Sequence, residues 1–460
     1  MALTSITFLL VYGGGLLGAI IGRPIWGLYT YVAVFYLDPG SRWWGASLPD
    51  VRWSLVAALV TLLATLRLKP PPTYVPWIRH FPIKVLVAYV TWMVIQLLWA
   101  NPMHWPVLVL FVKYLILLFL ILRLLQTEAD IWGFVVAHAL GCAYYGYLAY
   151  RAAAGGRLEG VGRPGIDDAN TLGMQLATGL VVTAAILIAR RGPLRWIALL
   201  AIPFVANGIV QTGSRGAFVA LAASGIVFLA LTPKPKRNIS YALAAIAVVV
   251  FLFRAPDTFW QRIYTLAKFE NNPQQLDTSA RSRTVIIKAQ LRMFSDYPFG
   301  VGSRGTDWLS PRYLDPKWLT ARPGLDRALY GTRASHNTFM AALVDQGFPG
   351  AILYLLMVGW VIVSLRRLKR MDHNGLPVTN GMLRAAIGSA LAVVFVAGLG
   401  TNYIRAEVQY WLIALLIASI PIARAACKRP APVGFQEESS ASTRGPHPSA
   451  SQGLGDRAAP

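Results

Sequence analysis

Charge is scarce in this chain. Of 460 residues only 14% are Asp, Glu, Lys or Arg, and the 20 acids face 43 Lys and Arg. Cysteine is nearly absent at two residues, and histidine numbers six. These shortages exclude several classes. So few charges against 55% hydrophobic residues do not suit a soluble domain with a single buried core. Cys142 lies in an apolar stretch and Cys427 in a basic one, so neither a disulfide nor a cysteine metal site is expected. Asp, Glu and His show no clustering at metal-ligand spacing, and no cofactor is expected. Asp167 and Asp168 are adjacent and do not form the spaced acidic pair of nucleotide-sugar enzymes. The N-terminal MALTSITFLL lacks the positive n-region of a cleavable signal peptide, so the first apolar segment is expected to be retained. No solenoid repeat is visible.

What is present is long apolar runs. Mean hydropathy is +0.50, and many windows reach the roughly 20 apolar residues that cross a bilayer. Runs fall near 5–22, 25–37, 54–66, 83–99, 107–123, 131–150, 169–189, 195–209, 215–232 and 240–253, then near 337–365, 384–398 and 406–424. The segment 5–37 holds one span or two. The reading is an all-α polytopic integral membrane protein with about 12 spanning helices and one large helical loop. Its expected divisions are an N-terminal transmembrane bundle at 1–253, a loop domain at 254–336, C-terminal transmembrane helices at 337–425 and a disordered cytoplasmic tail at 426–460 rich in Ser, Pro, Gly and Ala.

Lys and Arg in short loops set orientation. The clusters Arg67/Lys69/Arg79/Lys84, Arg190/Arg191/Arg195, Lys234/Lys236/Arg237, Arg366/Arg367/Lys369/Arg370 and Arg424/Lys428/Arg429 fall on one side when the spans alternate. That side is expected to be cytoplasmic. The loops near 151–168, 210–215, 254–336 and 399–405 then share the opposite face.

The loop 254–336 carries thirteen Lys or Arg against seven acids. Such an excess reads either as scattered surface charge or as an electropositive site for an anion such as a diphosphate. Within it, SARSRTVIIKAQLRMFSDYPFG has the pattern of an amphipathic helix ended by Pro298 and Gly300. Arg281, Lys288 and Arg292 fall on one side of its wheel, while Arg283 points among Val285, Ile286 and Ile287. Arg215, between Gly213 and Gly216 in TGSRGAFVALAASG, opens a span on the same membrane face. It reads as a headgroup-snorkelling arginine or as a bidentate phosphate ligand. His336 and Asn337 stand where the loop ends and a span begins. His336 is either an interfacial histidine without a task or a proton acceptor suited to neutral pH. Asp168 reads as a helix cap or, less simply, as a site residue beside Arg163.

At this point the residues resemble a family. TGSRGAF, the Arg283 helix running into DYPFGVGSRGTDW, and SHNTFMAALVDQGFPG occur in the order found in bacterial O-antigen ligases of the WaaL type, within the O-antigen ligase and polymerase superfamily. GRPIWGLYTYVAVFYLDPG and GVGRPGIDDANTLGMQLA are similar to the exosortase-associated O-glycosylation ligase subgroup. The family's helix motif often has Trp four residues after its Arg; here Ile287 stands there.

The resemblance implies a GT-C-like, inverting, metal-independent glycosyltransferase of the bacterial inner membrane, with its site facing the periplasm. It would move a glycan from undecaprenyl diphosphate to a lipid A–core sugar hydroxyl. His336 would be the base, and Arg215 and Arg283 would hold the diphosphate. Arg281, Lys288 and Arg292 would line the approach, with Arg163, Asp168 and Asn337 as secondary candidates. The implied partners are the carrier-linked glycan, the lipid A–core acceptor and membrane lipids, with no nucleic acid. The alternatives are a polymerase or a protein O-oligosaccharyltransferase of the same superfamily and, from another class, a lipid-linked oligosaccharide flippase. A flippase needs charge along a path through the membrane, whereas here charge gathers at one face.

Overall fold

The structure is a computed structural model, and it describes residues 3–69, 74–152, 157–254, 260, 278–319 and 331–428. Most of the expected tail lies outside these residues. Among the described residues every regular element is helical. In chain order we number α1 (Leu3–Ile21), α2 (Ile25–Leu37), α3 (Trp53–Leu66), α4 (Phe81–Gln96), α5 (His104–Leu124), α6 (Glu128–Arg151), α7 (Ala169–Ala189), α8 (Pro193–Thr212), α9 (Arg215–Leu231), α10 (Arg237–Arg254), α11 (Thr278–Asp296), α12 (Gly305–Tyr313), α13 (Thr338–Arg370), α14 (Val378–Ala397) and α15 (Glu407–Lys428). Eight helices are long and apolar enough to cross a membrane: α1, α5, α6, α7, α8, α13, α14 and α15. Three more, α3, α4 and α9, are apolar but shorter. The chain is thus a multi-pass membrane protein, and the segment 5–37 resolves into two helices.

Local chemistry fixes where helices start. Thr127 and Asp130 form a reciprocal capping box on α6. Asp168, Ser214 and Asn337 each accept first-turn amides, at α7, α9 and α13. Gly213 ends α8 with φ +56, a left-handed turn that glycine adopts without a Cβ clash and that lets α9 begin two residues later.

Several basic side chains tie helix ends together, Lys369 and Arg190 of the expected clusters among them. Lys369 donates to the Ala230 carbonyl at 2.6 Å, and buried Arg384 bridges Asp372 and the Leu231 carbonyl. Arg123 donates to the Leu68 carbonyl, Arg23 pairs with Asp130 at 2.7 Å, and Arg190 lies over Trp132. The loops assigned to the opposite face meet each other instead, as shown below. The centre of the bundle is built on α7 and α14. Ala385, Ile387, Ala390, Leu391, Leu172 and Leu176 are fully buried there, and small side chains let these helices approach closely.

A small second core forms apart from the main cluster. Ile286, Ala289 and Met293 of α11 pack with Val301, Leu309, Leu314 and Val344. Its anchor is a break in α13. Gly347 has φ 65 and ψ −167, splitting the helix into a short leading piece and a long span. The loop 298–305 crosses this break: Phe348 N donates to Pro298 O at 2.9 Å, and Gly302 N donates to Asp345 O at 2.8 Å. Side chains from α4 and the turn into α5 hold the loop from beneath. Trp92 Nε1 donates to Gln346 O (2.7 Å), Gln96 Nε2 to Phe299 O (2.9 Å), Trp99 Nε1 to Gly300 O (2.9 Å) and Asn101 Nδ2 to Val301 O (2.8 Å). The result ties α11 and α12 rigidly to the bundle.

Candidate active site

A cavity of about 1110 Å³ opens where the connections 157–168, 211–215, 333–336 and 401–407 converge on the start of α11. Its walls carry Arg157, Arg163, Arg215, Arg283, Lys317, Arg333 and Arg405, against Glu159, Asp168, Asp307 and Glu407. Seven cations and four acids leave an electropositive interior. His336 lies on the same wall.

His336 sits on a strap fixed from both sides. Arg333 N donates to Ser310 Oγ at 2.8 Å, and Gln290 Nε2 donates to Ser335 Oγ at 2.8 Å. Ser335 Oγ in turn donates to Asn337 O at 2.8 Å. Past the histidine, Asn337 caps α13 and donates from Nδ2 to Leu399 O at 3.2 Å, while Thr338 N donates to Gly398 O at 2.7 Å. The strap that carries His336 is thus held between α11, α12 and the 398–401 turn. Burial, followed by the charges of Arg333 and Arg283, pushes the imidazole pKa down to about 4, with Asp168 opposing them. It is therefore neutral at pH 7, as a base must be.

The arginines are placed by a shared hub at Asn170. Its Oδ1 accepts from Ser214 Oγ and from Arg157 Nη2, both at 2.9 Å, and its carbonyl accepts from the Tyr403 hydroxyl at 2.9 Å. This fixes the start of α9, and with it Arg215, against the start of α7. Arg283 reaches the 398–403 turn: a Cβ on Gly400 would lie 3.7 Å from its Nη1. Arg163 sits over the Phe35 ring at 4.6 Å. Asp307, paired with Arg304 at 3.5 Å, is pushed up by burial, while Arg304 and Arg405 pull it down. Among the described residues no group of three or more His, Cys, Asp or Glu could hold a metal. A basic, semi-enclosed chamber with a neutral imidazole on one wall suits binding a diphosphate and removing a proton beside it.

Residues 200–355 match the family model described as O-Antigen ligase. That window is about a third of the chain, and it contains Arg215, Arg283, His336 and the break at Gly347. The match supports the O-antigen ligase and polymerase superfamily, with glycosyltransferase-like activity in general and lipid-linked glycans in a membrane as the substrate class. No curated protein matches the chain.

The O-antigen ligase window accounts for only part of the chamber. Arg157, Arg163, Asp168, Arg405 and Glu407 lie outside it yet line the same space. Of the residues expected from the sequence, His336, Arg215, Arg283, Arg163 and Asp168 come together in the cavity. Lys288 and Arg292 do not: both are exposed on α11 and absent from the cavity wall. Asn337 acts as the cap of α13 rather than lining the cavity. The Arg281 side chain lies outside what the structure describes. Asp168 caps α7, as one of its two readings had it, and it also lines the cavity. Sequence reasoning missed Arg405 and Glu407, although both flank the last span on the same face. His104, set aside in the sequence for want of basic neighbours, does not line the cavity; its Nδ1 accepts from Ser303 N at 2.8 Å and its Nε2 donates to Met93 O at 2.9 Å.

Proposed function

We propose that this chamber transfers a glycan from undecaprenyl diphosphate to a sugar hydroxyl of the lipid A–core, as an O-antigen ligase of the bacterial inner membrane with its site facing the periplasm. The observation that carries the reading is the convergence of Arg215, Arg283 and His336 on one basic cavity, although 121 residues separate Arg215 from His336 in sequence. The two arginines hold the diphosphate and neutralise charge as it leaves; each can grip two oxygens in its planar fork. His336 takes the proton of the acceptor hydroxyl as its oxygen bonds to the anomeric carbon. The bond from that carbon to the diphosphate oxygen breaks, undecaprenyl diphosphate departs, and the configuration inverts. Arginine neutralisation makes a divalent ion unnecessary. Arg163, Asp168 and Asn337 support the site: Arg163 adds positive charge, Asp168 fixes α7 opposite His336, and Asn337 anchors the strap. Exposed Lys288 and Arg292, together with Arg281, attract the anionic donor toward the chamber from outside.

A deletion strain tests the reaction class. Loss of a ligase leaves long carrier-linked chains absent from the lipopolysaccharide. Loss of a polymerase leaves single repeats on the core, and that outcome would overturn the ligase assignment.

A further inference from the structure

Glu407 lines the chamber but has no part in the chemistry above. It opens α15, and its Oε1 accepts the Tyr31 hydroxyl at 2.6 Å and Trp411 Nε1 at 3.1 Å. Tyr31 lies on α2 and Trp411 one turn along α15, so the carboxyl plane is pinned by two helices. Oε2 has no hydrogen-bond partner among the described residues, and the residue is open to the cavity. Two donors thus hold one oxygen of a carboxyl that lines the chamber, and the other oxygen is left for a ligand.

The chemistry around it selects a ligand. A carboxyl group repels diphosphate, so Glu407 itself is not a phosphate ligand. Arg163 and Arg405 line the same cavity; Arg163 covers the nearly buried Phe35 ring at 4.6 Å, and the nearly buried Tyr114 donates its hydroxyl to Arg405 O at 2.6 Å. One fixed acceptor beside two guanidinium groups matches sugar hydroxyls, which both give and take hydrogen bonds. Resting on the reading of this cavity as the transfer site, we infer that Glu407 is a sugar-hydroxyl acceptor, marking a glycan subsite in the chamber. The sugar comes from the donor glycan or from the acceptor, and the two are separable.

The test uses purified full-length protein in nanodiscs and three probes. These are bare undecaprenyl diphosphate, the carrier-linked glycan extracted from native cells, and deacylated core oligosaccharide from cells lacking this protein. Glu407→Gln keeps an oxygen for Tyr31 and Trp411 but turns an NH2 group toward the cavity. It should leave bare-lipid affinity unchanged and weaken one glycan probe about 10- to 100-fold, the range for a hydrogen bond to a charged group. The probe that weakens identifies the source. Glu407→Asp, which keeps the charge on a shorter arm, should give a smaller loss of the same probe. Equal affinity of both glycan probes for wild type and Glu407→Gln overturns the inference. So does an equal loss of all three probes with a lowered melting temperature, which would mark a structural role. If wild type fails to bind even bare undecaprenyl diphosphate, the transfer reading itself falls.

Discussion

Gly347 and Gly300 meet backbone to backbone. A Cβ on Gly300 would lie 2.5 Å from the Gly347 nitrogen, and one on Gly347 would lie 2.6 Å from the Gly300 nitrogen. The contact fuses the broken span α13 to the loop that leads from α11 into α12. Asp345, two residues before the break, completes the joint by accepting the Arg304 and Gly305 amides at 2.9 and 2.8 Å. The loop after α11 is thereby tied to the leading piece of α13, which relates the helix bearing Arg283 to the strap bearing His336.

Replacing Gly347 should therefore undo the site from a distance. Its φ 65 and ψ −167 fall in a region open essentially to glycine, costing about 1–3 kcal/mol for other residues before any clash. Gly347→Ala should lower the melting temperature and the activity together. Gly359 lies on the same helix with open space around it, and Gly359→Ala should leave both intact or gain slightly. Parallel melting curves and transfer assays check this; a wild-type Gly347→Ala enzyme would refute it.

Arg215 should be indispensable for transfer but not for folding. It begins α9, while the start of that helix is secured by Ser214 and Asn170. Loss of one preorganised charge-stabilising donor costs about 10²- to 10³-fold in kcat. Arg215→Ala should fall by at least that much with an unchanged melting temperature. Arg215→Lys should recover only part, because an ammonium lacks the planar fork. Full turnover by purified Arg215→Ala would remove it from the site.

The apolar helices of the chain were legible because long apolar runs are local signals. The convergence of Arg215, Arg283 and His336 followed from alternating the spans. The helical wheel of α11 misled in one respect. It grouped Lys288 and Arg292 correctly but did not say which face would meet the cavity. Packing decides that: Ile286, Ala289 and Met293 turn to the core, and the edge bearing Arg283 reaches the chamber. Arg405 and Glu407 were overlooked because their loop is short, yet two opposite charges at the mouth of a span were a usable signal. His104 gave none, since its partner Ser303 lies 199 residues away. The break falls at Gly347, which with Asp345 and Gly350 interrupts the apolar run in the sequence.

Transfer should continue in excess EDTA. The chamber's positive charge resides in guanidinium groups and one ammonium, which no chelator removes. The check is turnover of purified enzyme and donor before and after chelation. Activity that stops with EDTA and returns with magnesium or manganese would contradict the proposed neutralisation by arginine.

The pH dependence gives the most specific test of His336. Its pKa of about 4 lies below the ordinary 6.5 because burial and the Arg333 and Arg283 charges disfavour the protonated ring. As a general base it must be neutral, so activity is lost as pH falls through its pKa. In the free enzyme that fall lies near pH 4, and kcat/KM, which reports the free enzyme, should stay flat from pH 7 down to about 5. The donor diphosphate is esterified at both ends and does not titrate in this range. Once bound, its negative charge offsets the two arginines and makes the imidazole easier to protonate. The fall in kcat, which reports the complex, should therefore lie at higher pH than the fall in kcat/KM. His336→Ala should keep donor affinity and lose about 10²- to 10⁴-fold in turnover. Its residual rate should no longer follow these limbs. Identical profiles for kcat and kcat/KM would mean that the bound diphosphate does not sit beside Arg283 and Arg333. A His336→Ala enzyme with near wild-type turnover would mean that the proton goes elsewhere.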